Sequence, residues 1–163
     1  MDKIESKVKM DKVDIKILKC LNKNARLSAS AIGEEINLSV SAVIERIRKL
    51  EIFGIIKRYT VDLDESQLGN DLIALMEVSL KHPDYYEEFS KLVNNNPNIA
   101  SCYYQTGEFD FVCRIVTDSK ESLEKVYRAI KGFEGVARTE THFVLKTVKE
   151  KSTVIIGEED EEN

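Results

Sequence analysis

The spacing of apolar residues changes once along the chain, near Leu72, and that change limits the folds open to it. Before Leu72 they recur three and four apart, the period of helices. After it, short strand-like runs alternate with two helical stretches. Charge divides at nearly the same place. Residues 1–62 carry 13 Lys/Arg and 9 Asp/Glu, while residues 63–163 carry 11 and 20, within an overall net charge of −5. A basic helical module joined to an acidic α+β module suggests a polyanion-binding part coupled to a part with another task.

The expected boundaries follow these shifts. Residues 1–62 form the basic module, 63–71 a linker, 72–150 the second module and 151–163 an acidic, partly disordered tail ending in "GEEDEEN". No apolar run approaches the roughly 20 residues of a membrane span, so no membrane role is expected. "MDKIESKVKM" has no apolar core of a secretory signal. Three cysteines without CxxC spacing, Cys20, Cys102 and Cys113, point to a reducing cytoplasm. Cys102 and Cys113 face one another if the chain turns tightly about Gly107 and Glu108, and reduced packing as small hydrophobes is the expectation. The two histidines, His82 and His142, lie far apart without clustered partners, so neither a metal nor a cofactor is expected.

In the basic module, Asp11 can cap a helix from Lys12, in which Val13, Ile17, Cys20 and Leu21 share a face. Ser28 caps a short helix with Ala31, Ile32 and Ile36 inward, and "NLS" makes a tight turn into a third helix capped by Ser39. Gly54 lies just past that helix, where a left-handed residue ends it. "IIKRYTVDL" then reads as a strand.

Advancing about 100° per residue sorts the third helix into faces. Val43, Ile47 and Leu50 point inward with Val40 beside them, while Ser41, Glu45, Arg48 and Lys49 point outward and Arg46 flanks them. Two short helices and a tight turn before such a helix describe a winged helix-turn-helix, whose partner is double-stranded DNA. Ser41, Ala42 and Glu45 are expected at the major groove, with Ser39 also among the DNA-binding residues. Arg46, Arg48, Lys49, Lys57 and Arg58 are expected on phosphates.

The second module reads as β-α-β-β-α-β, a ferredoxin-like fold. "LIALMEVSL" is a strand, Pro83 opens a helix with Phe89, Leu92 and Val93 inward, and "IASCYYQT" and "FDFVCRIVT" are strands joined through Gly107. Asp118 and Glu121 have capping-box spacing for a helix burying Leu123, Val126, Tyr127 and Ile130, closed by Gly132. "GVARTETHFVLKTVK" is a long last strand. Two helices cover one sheet face, so the other is expected to meet a second copy of the chain as a homodimer.

"MDKVDIKILKCLNKNARLS", "LSVSAVIERIRKLEIFGIIKRYTVDLDESQLG", "TGEFDF" and "GVARTETHFVLKTVK" together resemble the leucine-responsive regulator/AsnC (Lrp/AsnC, feast/famine) transcription factors. The likeness spans about Met10 to Lys149. Gly33 departs from it, standing where the family usually has Ala, a change that weakens a helix by up to about 1 kcal/mol. The resemblance implies a DNA-binding regulator that dimerises and often forms octamers. It also implies a small effector, commonly an amino acid, bound at a subunit interface of the C-terminal domain. The family's G-x-x-D feature falls on Gly107 and Asp110. Asp110 has two readings, an acceptor for a ligand ammonium or a turn residue bonding backbone. Thr139 and Thr141 likewise read as hydroxyls for a ligand carboxylate or as residues chosen for strand propensity.

Two further functions compete. Siroheme decarboxylases resemble this architecture, but a tetrapyrrole pocket needs His and Arg together, and only His142 near Arg138 answers. An effector-independent architectural DNA binder would be basic throughout, which the acidic second half opposes. No nucleophile–base pair or phosphate-binding glycine loop is present, so an enzyme is not expected.

Overall fold

The structure, a computed structural model, describes residues 10–151 and 153–155. The leading nine residues and the "GEEDEEN" tail lie outside the described residues. The described residues form two compact units, one built on residues 10–62 and one spanning Leu63–Glu150.

Each helix of the first unit starts on its own cap. Asp11 and Asp14 form a reciprocal capping box at α1 (Lys12–Lys23). Ser28 accepts from the Ala31 N–H at α2 (Ala29–Ile36), and Ser39 from the Ala42 N–H at α3 (Val40–Ile52). Ile17, Cys20, Ile32, Val43 and Leu50 make the core. Asn37 takes the left-handed conformation at the end of α2, which turns the chain at once toward α3. That turn passes over Gly33: a Cβ there would sit 2.5 Å from the Leu38 carbonyl oxygen. Gly33 is therefore a close-approach residue of the turn, and weakened helix propensity is the lesser part of its role. Gly54, at φ +69°, ends α3 as expected.

Two expectations for this unit change. Val40 is 46% exposed and does not join the core face. The strand anticipated from Ile55 onward has no strand partner among the described residues: Ile55 and Ile56 bend back onto the core, with both N–H groups on the Leu50 carbonyl, and the residues from Lys57 to Leu63 are exposed. The stretch is also tied back by Tyr59, whose hydroxyl donates to Glu51 Oε1 at 2.8 Å.

The second unit has the order β1 (Leu72–Leu80), α4 (Tyr86–Asn94), β2 (Ile99–Tyr104), β3 (Phe111–Thr117), α5 (Lys120–Lys131) and β4 (Val136–Phe143). All neighbours pair antiparallel, in the order β2-β3-β1-β4. Ala74, Met76 and Val78 alternate toward Phe89 and Val93 of α4 and Leu123, Val126 and Ile130 of α5, so both helices cover one face. On the opposite face stand Ile73, Leu75, Val112, Val116 and Tyr103, with Leu75 37% and Tyr103 64% exposed.

Details differ from the sequence pattern here too. α5 is capped by Ser119, which accepts from the Ser122 N–H; Asp118 supports it by accepting from the Ser119 hydroxyl. Pro83 opens a single 3-10 turn that runs into α4. The last strand stops at Phe143, its final partner being Ala74. The expected linker 63–71 lies on the second unit, where Glu65 holds Arg114 through two hydrogen bonds of 2.8 and 3.1 Å.

Candidate DNA interface and effector site

The outer face of α3 begins with small hydroxyls. Ser39 Oγ lies 3.3 Å from Ser41 Oγ, and both residues are exposed, with Ala42 half-buried behind them. One turn further, Glu45 and Lys49 pair across 2.7 Å, and the Lys49 hydrogen bond holds the Glu45 carboxyl below its ordinary range. Arg48, Lys57 and Arg58 are exposed. Their side chains are long enough to reach a polyanion while the small residues let backbone approach it closely.

Arg46 stands apart from this group. Its guanidinium donates to Asp11 Oδ2 at 2.7 Å and Asp14 Oδ1 at 2.8 Å. It lines a cleft of about 480 Å³ between α1 and α3, together with Met10, Glu45 and Phe53. The Asp14 N–H, and then Arg46, hold the Asp11 carboxyl below its usual range. Arg46 thus joins α1 to α3, a bond invisible to face analysis of α3 alone because its partners lie over 30 positions earlier. Ile44, unassigned from the sequence, is 54% exposed, three residues after Ser41 and four before Arg48. An exposed β-branched residue on a polar face was the signal available. Tyr59, also unforeseen, has its hydroxyl pushed up to about 12, first by burial and then by the bond to Glu51.

In the second unit, Gly107 at φ +130° and Asp110 lie in the hairpin joining β2 to β3. Asp110 fastens that hairpin to the end of β1: its N–H donates to the Val78 carbonyl at 3.0 Å, and its Oδ2 accepts from the Leu80 N–H at 2.7 Å. The β1–β4 register shifts between Ser79 and Leu80, and the carboxylate serves the Leu80 N–H where the ladder is irregular. Ser79 Oγ donates to the Glu108 carbonyl at 3.0 Å. Arg138 stacks 4.9 Å from the Phe109 ring centroid and pairs with Glu108 and Glu140.

Thr139 and Thr141 are not gathered with these residues. They pair with Val78 and Met76, and so project toward the helix-covered face; Thr141 Oγ1 is buried without a partner. His142 lies 3.5 Å from Glu77 and 3.4 Å from Glu140, and with Arg138 it is engaged by carboxylates on the open face. Among the described residues no group of three or more His, Cys, Asp or Glu side chains is arranged to hold a metal ion, and no helix is long and apolar enough to cross a membrane.

Comparison with known proteins gives consistent matches for both units. The model of the AsnC-type helix-turn-helix domain matches residues 10–51, and that of the Lrp/AsnC ligand binding domain matches residues 73–154. The HTH-type transcriptional regulator LrpC of Bacillus subtilis is 37% identical over 145 residues, covering 89% of this chain and 98% of the relative. The leucine-responsive regulatory protein of Klebsiella pneumoniae is 29% identical over 150 residues, covering 90% and 92%. Among solved structures, the transcriptional regulator NMB0573 of Neisseria meningitidis in complex with L-Met superposes with a TM-score of 0.84 at 31% identity, over 90% of this chain and 96% of that one.

Proposed function

The chain belongs to the Lrp/AsnC family of transcriptional regulators, and on that premise we propose that it is a sequence-specific DNA-binding regulator whose second unit binds an amino acid or similar metabolite. One observation carries the reading: an exposed hydroxyl-and-cation face on α3 is joined in one chain to a sheet with one face uncovered. α3 enters the major groove with Ser39, Ser41, Ala42 and Glu45, where Ile44 adds an apolar contact to a thymine methyl group. Arg48, Lys49, Lys57 and Arg58 contact phosphates, and Arg46 holds α3 in place from behind.

The uncovered sheet face joins two copies into a dimer, which sets two α3 helices about one turn of DNA apart. Dimers assemble further, octamers included. The effector binds beside Gly107–Asp110 at a contact between subunits, with its ammonium toward Asp110. The L-Met bound by the Neisseria regulator supports an amino acid as the ligand class. Thr139 and Thr141 shape the strand beneath this site and touch the effector only if it reaches the helix-covered face. A ligand that binds one assembly better than another shifts DNA affinity, by about 5- to 150-fold for typical coupling. The relatives named as transcriptional regulators favour this reading over a decarboxylase.

The test is calorimetry over a panel of amino acids, followed by DNA titration with each ligand found. Asp110→Asn keeps an acceptor for the Leu80 N–H while removing the charge, so it should lose the ligand with its melting temperature unchanged. Equal ligand affinity in wild type and Asp110→Asn would restrict Asp110 to backbone support. No ligand from the panel would overturn amino-acid sensing.

A further inference from the structure

We infer that Cys102 and Cys113 form a peroxide-reactive dithiol, in which Cys102 is oxidised and Cys113 resolves it to an intramolecular disulfide. The three cysteines of the chain are free thiols, and Cys20 is buried in the first unit. Cys102 and Cys113 are direct cross-strand partners on β2 and β3, with their sulfurs 3.4 Å apart.

The ladder places them where a bond can form. Residues directly opposite one another in an antiparallel ladder, as Cys102 and Cys113 are, have Cα atoms about 4.5–5.5 Å apart, inside the range of about 4.4–6.8 Å that a disulfide spans. The sulfurs must close to about 2.05 Å. β2 can yield, since it is an edge strand whose ladder is already irregular between Ile99 and Ser101.

The two thiols are unequal in the way the chemistry requires. Cys113 is wholly buried in the core, whereas Cys102 is half-buried on the edge strand. The Cys113 thiol donates to Cys102 Sγ; this bond lowers the Cys102 thiol from its ordinary range and, with burial, raises Cys113. The accessible sulfur is thus the one favoured as thiolate, the form that attacks peroxide.

The Cys102 thiolate attacks one oxygen of hydrogen peroxide, forming S–O, breaking O–O and releasing hydroxide. The Cys113 sulfur then attacks the sulfenic sulfur, forming S–S and breaking S–O. The departing hydroxyl takes the Cys113 proton and leaves as water. Two thiols lose two electrons and one peroxide becomes two waters. A dithiol reductant reverses the bond by exchange.

The test uses the reduced full-length chain. After brief treatment with hydrogen peroxide and alkylation, intact mass should show one alkylated thiol and the loss of about 2 Da for two hydrogens. A non-reducing peptide map should join the Cys102 and Cys113 peptides, and a dithiol should restore three alkylatable thiols. Cys113→Ser should arrest Cys102 as a sulfenic acid trapped by dimedone; Cys113→Ala repeats the experiment should the buried hydroxyl disturb packing. Cys102→Ser should leave Cys113 reduced. The inference is overturned by three free thiols after excess peroxide, by linkage between chains in place of within one, or by a dimedone adduct on wild type with no linked peptide.

Discussion

Arg48 and Arg46 stand two residues apart on α3 and should fail in opposite ways. Arg48 is exposed on the outer face, whereas Arg46 is spent on Asp11 and Asp14. Replacing Arg48 with Ala should weaken binding to any duplex and leave thermal stability unchanged. One phosphate contact adds about 0.9 to the slope of log K against log salt, so a dimer losing one per helix loses about 1.8. Between about 50 and about 200 mM salt, that difference amounts to about 12-fold in affinity. Arg46→Ala should lower the melting temperature through the lost α1–α3 bond while keeping the salt slope. Lys49→Ala should weaken binding beyond one lost contact, because it leaves Glu45 unpaired on the same face. The assay is fluorescence anisotropy with an operator and an unrelated duplex across that salt range, alongside thermal melts. An unchanged slope for Arg48→Ala, or a reduced slope with normal melting for Arg46→Ala, would refute this assignment of the docking face.

Other outcomes follow from the same structure. Gly33→Val should destabilise the first unit by about 1–3 kcal/mol, read by urea denaturation, because its Cβ meets the Leu38 carbonyl. Phe89→Ala should cost the second unit about 3–5 kcal/mol, since the ring is fully buried against Phe111 at 4.7 Å and Phe133 at 6.0 Å. Leu75→Lys with Val112→Glu should leave the fold intact by circular dichroism and turn the dimer into a monomer by light scattering. Asp11 titrates below its usual range, so its contribution is full above about pH 4 and vanishes as pH falls through the lowered value. The acid limb of a melting-temperature profile should therefore be shallower in Asp11→Asn than in wild type.

Signals that act within one turn of chain were legible in the sequence. Asp11, Ser28 and Ser39 cap the helices they were expected to cap, and Gly54 ends α3, because each depends on backbone three or four residues away. The inward residues of α4 and α5 followed from period alone. At α5 two adjacent oxygens compete, and Ser119 takes the cap that the spacing assigned to Asp118. What depended on a distant partner was not legible. The end of β4 at Phe143 lies opposite Ala74, a register on β1 that its own sequence does not mark, and the 55–63 stretch stays out of any sheet for want of a neighbour. Thr139 and Thr141 take their direction from the register with Val78 and Met76. Arg46 was placed with the phosphate contacts because its carboxylate partners belong to another helix.

The position of β1 at the centre of its sheet has a kinetic cost during synthesis. It is made first among the strands, yet both its neighbours come later: β3 starts at Phe111, and β4 ends at Phe143. At about 5–20 residues per second, the ribosome needs roughly 3–13 s to reach the end of β4 after finishing β1. The α1–α3 unit closes local contacts and can be complete in that interval, while "LIALMEVSL" waits with both edges open. Aggregation of nascent chains should therefore begin at this strand, and a slower ribosome should make it worse.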